Sequence, residues 1–421
     1  MAQKILVYAD WLGMNSPISV GNLTADLVRG KEIFSFDYSQ EWLQSEYSRM
    51  LDPDLQLYAG PQYLNDGKTN FGMFLDSSPD RWGRMLMRRR ETILSSQHER
   101  NPINLNESDF LLGVYDGTRM GGLRFKTDIN GEFLSHATDL ATPPWATLRD
   151  LEYASLRLEN EDITATEELR WLNMLMAPGS SLGGARPKAN ITDPNGDLWI
   201  AKFPSAADNH NIGAWEMVVY ELALAAGINV APAQLLLFSG RHHTFLSKRF
   251  DRVDGTRRIH FASAMTLLGH QDGADFHSGL SYLDLAAFIM QNGKKVNENL
   301  RELWTRIVFN ILVKNTDDHL RNHGFLLYAD GWELSPAYDI NPNPYGNGLT
   351  LNISEDDNSL DIQLVLSVAK HFRLKPLEAE TILTKVWSAV ATWEDVATRY
   401  GLSRREREDM AGAFNQKYRR H

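Results

Sequence analysis

Between Asn315 and Asp339 the chain reads NTDDHLRNHGFLLYADGWELSPAYD, and no other stretch restricts the possible folds as much. Upstream, Leu300, Leu303, Trp304, Ile307, Val308, Ile311 and Leu312 recur at helical spacing and stop where the polar run begins. Downstream, Phe325 to Tyr328 and Trp332 to Leu334 flank Asp330-Gly331, a pair that favours the tight turn of a β-hairpin. The predicted order is helix, acidic loop, hairpin, second acidic residue. Asp317 and Asn322 stand five positions apart in the loop, and Asp339 follows the hairpin.

Asn, Asp and His gather in many loops because their side chains cap backbone groups and tolerate tight turns. The ordered set is more demanding than any one member. Protein kinases place an Asp and an Asn at this spacing in the catalytic loop and a metal-binding Asp after it. Phosphoryl transfer needs a carboxylate beside the acceptor hydroxyl and oxygen ligands for magnesium. His319 and His323, four apart, suit a metal site on a helix. Gly324 argues against a helix continuing there, so structural roles are expected for both.

With 421 residues the chain is too long for one simple core, and two or three domains are expected. Its composition, 43% hydrophobic and 23% charged, is that of a globular protein. No apolar run approaches a membrane span. The start, MAQKILVYADWLG, lacks a signal-peptide pattern and enters a strand directly. The absence of cysteine excludes disulfides and thiolate metal sites and fits the cytoplasm. A net charge of −11 argues against DNA binding by the whole surface. Two basic clusters, Arg81, Arg84, Arg88, Arg89 and Arg90, and Arg404, Arg405, Arg407, Lys417, Arg419 and Arg420, are expected to be solvated helix faces.

Strands are predicted over Lys4 to Tyr8 and Ile33 to Tyr38, a helix over Glu41 to Met50, a long ordered loop over Pro61 to Pro79 and a basic helix over Asp80 to Ser95. Asn101 to Asn106 reads as a boundary. Gly113 to Phe125, with its Asp-Gly and Gly-Gly pairs, suggests a hairpin. A helix over Ala165 to Met176 should end at Pro178-Gly179. The second chemical motif follows at once: GSSLGGARPKA, Gly179 to Ala189. Adjacent glycines let backbone N–H groups approach an anion, and Arg186 and Lys188 add positive charge. The string is not a Walker A loop, and a hairpin turn explains it equally well.

The next segments favour the anion reading. Asn190 to Thr192 and Leu198 to Phe203 read as strands, the second carrying Lys202. A strand lysine after a phosphate-covering loop is how kinases hold the ATP phosphates. Ala214 to Ala226 is a helix ending at Gly227, and its Glu216 would pair with such a lysine, or lie at the surface. Leu235 to Phe238 and Thr244 to Phe250 form another strand pair. Beyond Asp254-Gly255 the chain becomes mainly helical, with a capping box at Ser281 and Asp284, a long helix from Glu298 to Lys314, and more helix over Leu377 to Tyr400.

These residues together resemble the HipA family of serine/threonine kinases, the toxins of HipBA-type toxin–antitoxin modules. The matching strings are SSLGGARPKA, LWIAKFP, SKRFDR, NTDDHLRNHGFLL and LSPAYDINP, with LNDGKTNFGMFLDSSPDRWGRMLM resembling the family's N-terminal module. The resemblance covers nearly the whole chain. It implies an α+β fold: a small α+β module over 1–105, a kinase N-lobe of mixed β structure over 106–252, and a mainly helical C-lobe over 253–421. By position, Asp317 would be the catalytic base, Asn322 and Asp339 the magnesium ligands, and Lys202 the ATP-phosphate lysine. Ser181, Gly183, Gly184, Ala185, Arg186 and Lys188 would cover the nucleotide, with His319 joining the set. Lys248 and Phe250 would border adenine. Ser181, next to Ser180, falls where the family places its autophosphorylated serine. Lys248 stands where the best-known member has Glu, so backbone contact is the firmer expectation at that position, and separately Gly-Ala-Arg-Pro-Lys replaces that member's Gly-Ala-Gln-Glu-Lys.

The same resemblance implies ATP and Mg2+ as cofactors, a HipB-like helix-turn-helix antitoxin as partner, DNA reached only through that partner, and an aminoacyl-tRNA synthetase as the kind of protein substrate. No membrane role is expected. Two alternatives stay open on the residues alone. One is a metal-dependent phosphohydrolase built from Asp317, Asp318, His319, His323 and Asp339. The other is a kinase-like co-repressor without significant catalysis.

Overall fold

The computed structural model describes residues 2–64, 67–137, 141–159, 165–176, 184, 186–238 and 240–414. Its contacts divide the chain into two units, Met1–Ala207 with Lys248–Ala262, and Asp208–Ser247 with Ser263–His421. The class is α+β, as the sequence predicts.

The first unit opens with an antiparallel five-stranded sheet, in spatial order Gln62–Tyr63, Lys31–Tyr38, Ile18–Val28, Gln3–Ala9, Leu123–Lys126. Alternation sends Ile5, Val7, Val20, Leu23, Phe34 and Phe36 into the core. The sequence reading places no strand over Ile18–Val28, because Gly21 and Asn22 interrupt its pattern. In the fold Gly21 is what lets the neighbouring strand approach: a Cβ there would lie 2.2 Å from the Asp37 carbonyl oxygen.

Three local expectations are corrected. The hairpin in Gly113–Phe125 does not form. Asp116–Thr118 is a short 3-10 turn, and Leu123–Lys126 pairs with the first strand instead. Gly121 takes φ 70° beside the backbone of Phe261, so its role is close approach, not a hairpin turn. The helix over Glu41–Met50 shrinks to Gln40–Gln44, since Ser45 ends it by bonding the Trp42 carbonyl through both its N–H and its Oγ. The basic helix, Arg81–Gln97, is only partly a solvated face. Arg84 makes a two-pronged bond to Glu107 at 2.5 and 2.7 Å, Arg89 pairs with Glu168, and Arg90 donates to Asn173 at 2.8 Å.

Lys188–Thr192 and Leu198–Lys202 then form an antiparallel pair about the turn at Asp193 to Asp197. In the second unit, helix Ile212–Ala226 is capped by Asn211 and stopped by Gly227 in the left-handed conformation. Strands Ala233–Leu236 and Thr244–Lys248 pair antiparallel. Helices Tyr282–Asn292 and Val296–Val313 precede the hairpin Gly324–Tyr328 and Gly331–Leu334. All seven apolar positions read from the long helix are buried, each worth about 1.5–3 kcal/mol. Helices Pro376–Val390, Trp393–Arg399 and Arg404–Phe414 follow, with Trp393 stacked on Phe414 at 4.8 Å. No described helix is long and apolar enough to cross a membrane.

Candidate functional site

The long helix stops because Lys314 takes the left-handed conformation, φ 48°, with its N–H on the carbonyls of Asn310 and Ile311. The chain then makes a series of tight turns. Asn315 Nδ2 donates to Asn310 Oδ1 at 3.1 Å, the His319 N–H to the Asp317 carbonyl at 2.9 Å, and the Asn322 N–H to the His319 carbonyl at 2.8 Å. Adjacent carboxylates come to stand in different surroundings. Asp318 is buried and Asp317 is exposed at the surface of its loop.

Asp318 is consumed by the fold. Its Oδ2 accepts from Tyr282 Oη at 2.6 Å and Asn310 Nδ2 at 2.6 Å, and lies 2.9 Å from His323 Nε2. Burial alone would raise its pKa, but His323 and these donors outweigh that and hold it below the usual carboxylate value. The phosphohydrolase arrangement therefore loses two of its five members, Asp318 and His323, to a buried mutual bond.

Asp317 accepts no such set of donors. Burial pushes its pKa up, His319 opposes the rise, and the nearby charges of Asp339 and Asp318 add to it. Asn322 Nδ2 donates to the Asp317 carbonyl at 2.9 Å, which leaves Asn322 Oδ1 buried with no partner. Asp339 sits at φ 57°, a conformation uncommon outside glycine, and receives Asn341 Nδ2 at 3.4 Å. Asn341 Oδ1 and His319 Nδ1 are also buried without partners. Buried acceptors left unused are rare in folded proteins and point to a missing ligand. A neutral amide oxygen beside carboxylates suits a hard divalent cation such as magnesium, so Asn322 and Asp339 fit the ligand pair expected of them. Among the described residues no group of three or more His, Cys, Asp or Glu could hold a metal. A magnesium ion needs no such group where substrate phosphates and waters complete its shell.

The remaining predicted residues belong to the first unit. Ser180, Ser181, Gly183 and Ala185 lie outside the described residues. Gly184 has φ 97°, and Lys188 Nζ lies 3.3 Å from where its Cβ would be. Lys188 stands directly opposite Lys202 in the strand register. Two lysines so placed repel each other. Lys188 is neutralised by a buried ion pair with Asp80 at 2.7 Å, while also donating to the Gly184 carbonyl at 3.2 Å. Asp80 at the same time caps the basic helix through the Gly83 N–H at 2.9 Å. Lys202 is half-buried at the strand's end. Arg186 Nη2 donates to the Phe203 carbonyl at 3.3 Å. Lys248 pairs with Asp197 at 2.5 Å, and Phe250 packs on Phe261 at 6.0 Å. Glu216 is buried on its helix in the second unit.

Asp317, His319, Asn322 and Asp339 thus share one loop system. Sequence reasoning missed the groups that support it: Tyr282 and Asn310 beneath Asp318, Asn341 beside Asp339, Asp80 on Lys188 and Asp197 on Lys248. Only Asp80 left a local signal, as a helix cap before Arg81. Tyr282 and Asp197 lie 36 and 51 positions from the residues they hold, while Asn310 and Asn341 are near in sequence but carry no motif that marks them.

A model of the HipA-like C-terminal domain matches residues 180–394. A Haemophilus influenzae protein provisionally named a kinase is 28% identical over 186 residues, covering 40% of this chain and 54% of that one. The serine/threonine-protein kinase toxin HipA of Shewanella oneidensis is 24% identical over 188 residues, covering 39% and 43%. The chain therefore spans about half the length of the curated relatives it matches or less. The solved complex of HipA, HipB and operator DNA from Shewanella oneidensis contains a chain that shares the fold: TM-score 0.64 at 18% identity, over 97% of this chain and 94% of that one. With the family model spanning half of its residues, from the glycine motif through the acidic loop and beyond, this chain belongs to the HipA-like C-terminal domain family.

Proposed function

We propose that the chain is an ATP-dependent serine/threonine protein kinase. The observation that carries this reading is the unequal use of the acidic loop: Asp318 Oδ2 takes three partners, while the Asp317 carboxylate and Asn322 Oδ1 keep acceptor capacity within reach of Asp339's charge. Asp317 would take the proton of the acceptor hydroxyl as that oxygen bonds to the γ-phosphorus and the bond from that phosphorus to the β–γ bridging oxygen breaks, ADP leaving with the bond's electrons. Its environment favours uptake of a proton, because burial and two neighbouring carboxylates all penalise its charge. Asn322 and Asp339 would hold magnesium, which neutralises phosphate charge when bound. Lys202 supplies positive charge for the ATP phosphates, and Gly184, Arg186 and the rest of the glycine motif cover them. Lys188 contributes by linking Asp80 to the Gly184 carbonyl. Lys248 and Phe250 border the base, with Lys248 held by Asp197.

The family relation supports a toxin whose partner is a HipB-like antitoxin with a helix-turn-helix domain, DNA being reached through it. The Shewanella oneidensis relative was solved in complex with HipB and operator DNA. An aminoacyl-tRNA synthetase is the proposed kind of substrate, and Ser181 the proposed site of autophosphorylation, where the added charge of about −1.5 to −2 would repel ATP. The test is phosphate transfer from magnesium-ATP, in cells by phosphoproteomics and in vitro on the purified chain. Asp317→Ala should lose about 10²- to 10⁴-fold in rate while remaining folded. Undiminished transfer in folded Asp317→Ala would refute the assignment, and absence of ATP binding by the unmodified chain would favour the co-repressor reading.

A further inference from the structure

We propose that Asp318 is a positioning residue for the catalytic loop: one buried carboxylate oxygen fastens both ends of the loop to two helices and thereby sets where Asp317 and Asn322 point. The inference deepens the kinase reading and rests on it for its catalytic consequence. The tertiary observation stands independently of that reading.

Three donors from three elements converge on Asp318 Oδ2. Tyr282 comes from the first turn of helix Tyr282–Asn292, Asn310 from the last turn of helix Val296–Val313, and His323 from the residue just before the hairpin strand. Asn310 extends the network, since its Oδ1 accepts from Asn315 Nδ2 at the loop's other end. His323 packs edge-on against the Tyr282 ring at 5.7 Å, and its carbonyl accepts the Ala264 N–H at 2.7 Å. The loop is therefore tied at Asn315, at Asp318 and at His323.

All three ties meet on Oδ2, so the buried side chain cannot turn toward the site without breaking them. Its effect is transmitted along the backbone. Asp317 is the preceding residue, and its carbonyl receives Asn322 Nδ2. Fixing residue 318 fixes that carbonyl, which orients the Asn322 amide and leaves its Oδ1 unused. Charge matters as well as shape. A carboxylate accepting several donors makes stronger bonds than a neutral amide would. A buried network in which each member holds another is stiff, which is what a reacting group held within a fraction of an ångström requires.

The test uses the full chain with Asp318→Ala, Tyr282→Phe and the two combined. Asp318→Ala should lower kcat about 100-fold, the scale expected for misplacing a reacting group by about 1 Å, with KM for ATP within about two-fold. Tyr282→Phe, which keeps the ring and removes one tie, should lose less, and the double variant should lose no more than Asp318→Ala alone, because both act through one oxygen. Hydrogen exchange gives a readout that needs no activity: amides of 315–323 should lose protection in Asp318→Ala while helix Val296–Val313 keeps it. Where Asp318→Ala does not fold, Tyr282→Phe carries the same comparison. Wild-type kcat in folded Asp318→Ala, a parallel loss of ATP binding, or unchanged exchange over 315–323 would overturn the proposal. An inactive wild-type chain whose loop still loosens in Asp318→Ala would refute the kinase reading and leave the positioning role intact.

Discussion

Two clusters of charge, one in each unit, are built from similar residues and used in opposite ways. In the first unit Asp251, fully buried, accepts from Arg249 at 2.8 and 2.6 Å, from Arg252 at 2.5 Å and from the Gly121 N–H at 2.9 Å. Burial would raise its pKa, but Arg249 and Arg252 override that and hold it far below the usual value. Asp116 is shared in the same way by Arg124 at 2.5 Å and Arg258 at 3.2 Å. Buried Arg119 donates to four carbonyls, those of Ser77, Leu111, Val114 and Leu134, at 2.7–2.9 Å. The acidic loop of the second unit instead leaves Asn322 Oδ1, Asn341 Oδ1 and His319 Nδ1 without partners, with the charge of Asp339 close enough to perturb Asp317. Acids saturated by arginine build structure; acids and amides with capacity to spare build a site.

If that contrast holds, the largest effect on stability comes from the saturated cluster. Asp251→Ala would leave two buried arginines uncompensated and should cost about 3–5 kcal/mol in denaturant unfolding. A loss below about 1 kcal/mol would show the cluster to be far more solvated than its burial indicates.

Asp52 stands between the extremes. It accepts from the Met73 N–H at 3.0 Å and the Asp54 N–H at 3.0 Å, yet burial outweighs these bonds and pushes its pKa from 3.8 to about 6. Because the folded value lies above the unfolded one, its protonated form is favoured by folding. The contribution is full below pH 3.8 and is lost as the pH rises to about 6, on the order of 3 kcal/mol in all. Stability measured across that window should fall with rising pH in the wild type and flatten in Asp52→Asn. An equally steep fall in Asp52→Asn would assign the effect to another group.

The smallest effect on stability should come from the site itself. Asn322→Leu removes one bond, that to the Asp317 carbonyl, and an amide oxygen that had no partner, so it should change stability by no more than about 1 kcal/mol. The same change should abolish the extra thermal stabilisation that magnesium adds to ATP binding. Thermal shifts with ATP, with and without magnesium, would show it. A large loss of stability would mean Asn322 is part of the scaffold and not of the site.

Much of the fold was legible in local pattern. The long helix before Asn315, the hairpin about Asp330-Gly331, the capping box at Ser281 and Asp284 and the stop at Gly227 depend on residues within a few positions of each other, and each lies where its spacing places it. The reading failed where glycine and aspartate served distant neighbours. Gly121, read as part of a hairpin signal, instead marks a close approach to the backbone of Phe261. Of the basic helix, composition showed charge but not that Glu107 and Glu168 would take up two of its arginines.

By itself the sequence determined the order of chemistry: a glycine motif, a strand lysine, an acidic loop, a hairpin and a second acidic residue, because side-chain periodicity and turn preference act over a few residues. Spacing to Asn322 singled out Asp317 but gave its neighbour Asp318 no role. The tertiary structure supplies one, by bringing Tyr282, Asn310 and His323 to Asp318 and leaving Asp317 facing Asp339's charge. It likewise turned Lys188 toward Asp80, 108 positions away. Which carboxylate is spent and which is kept depends on the donors that packing delivers, and those arrive from elements whose distance along the chain no local pattern records.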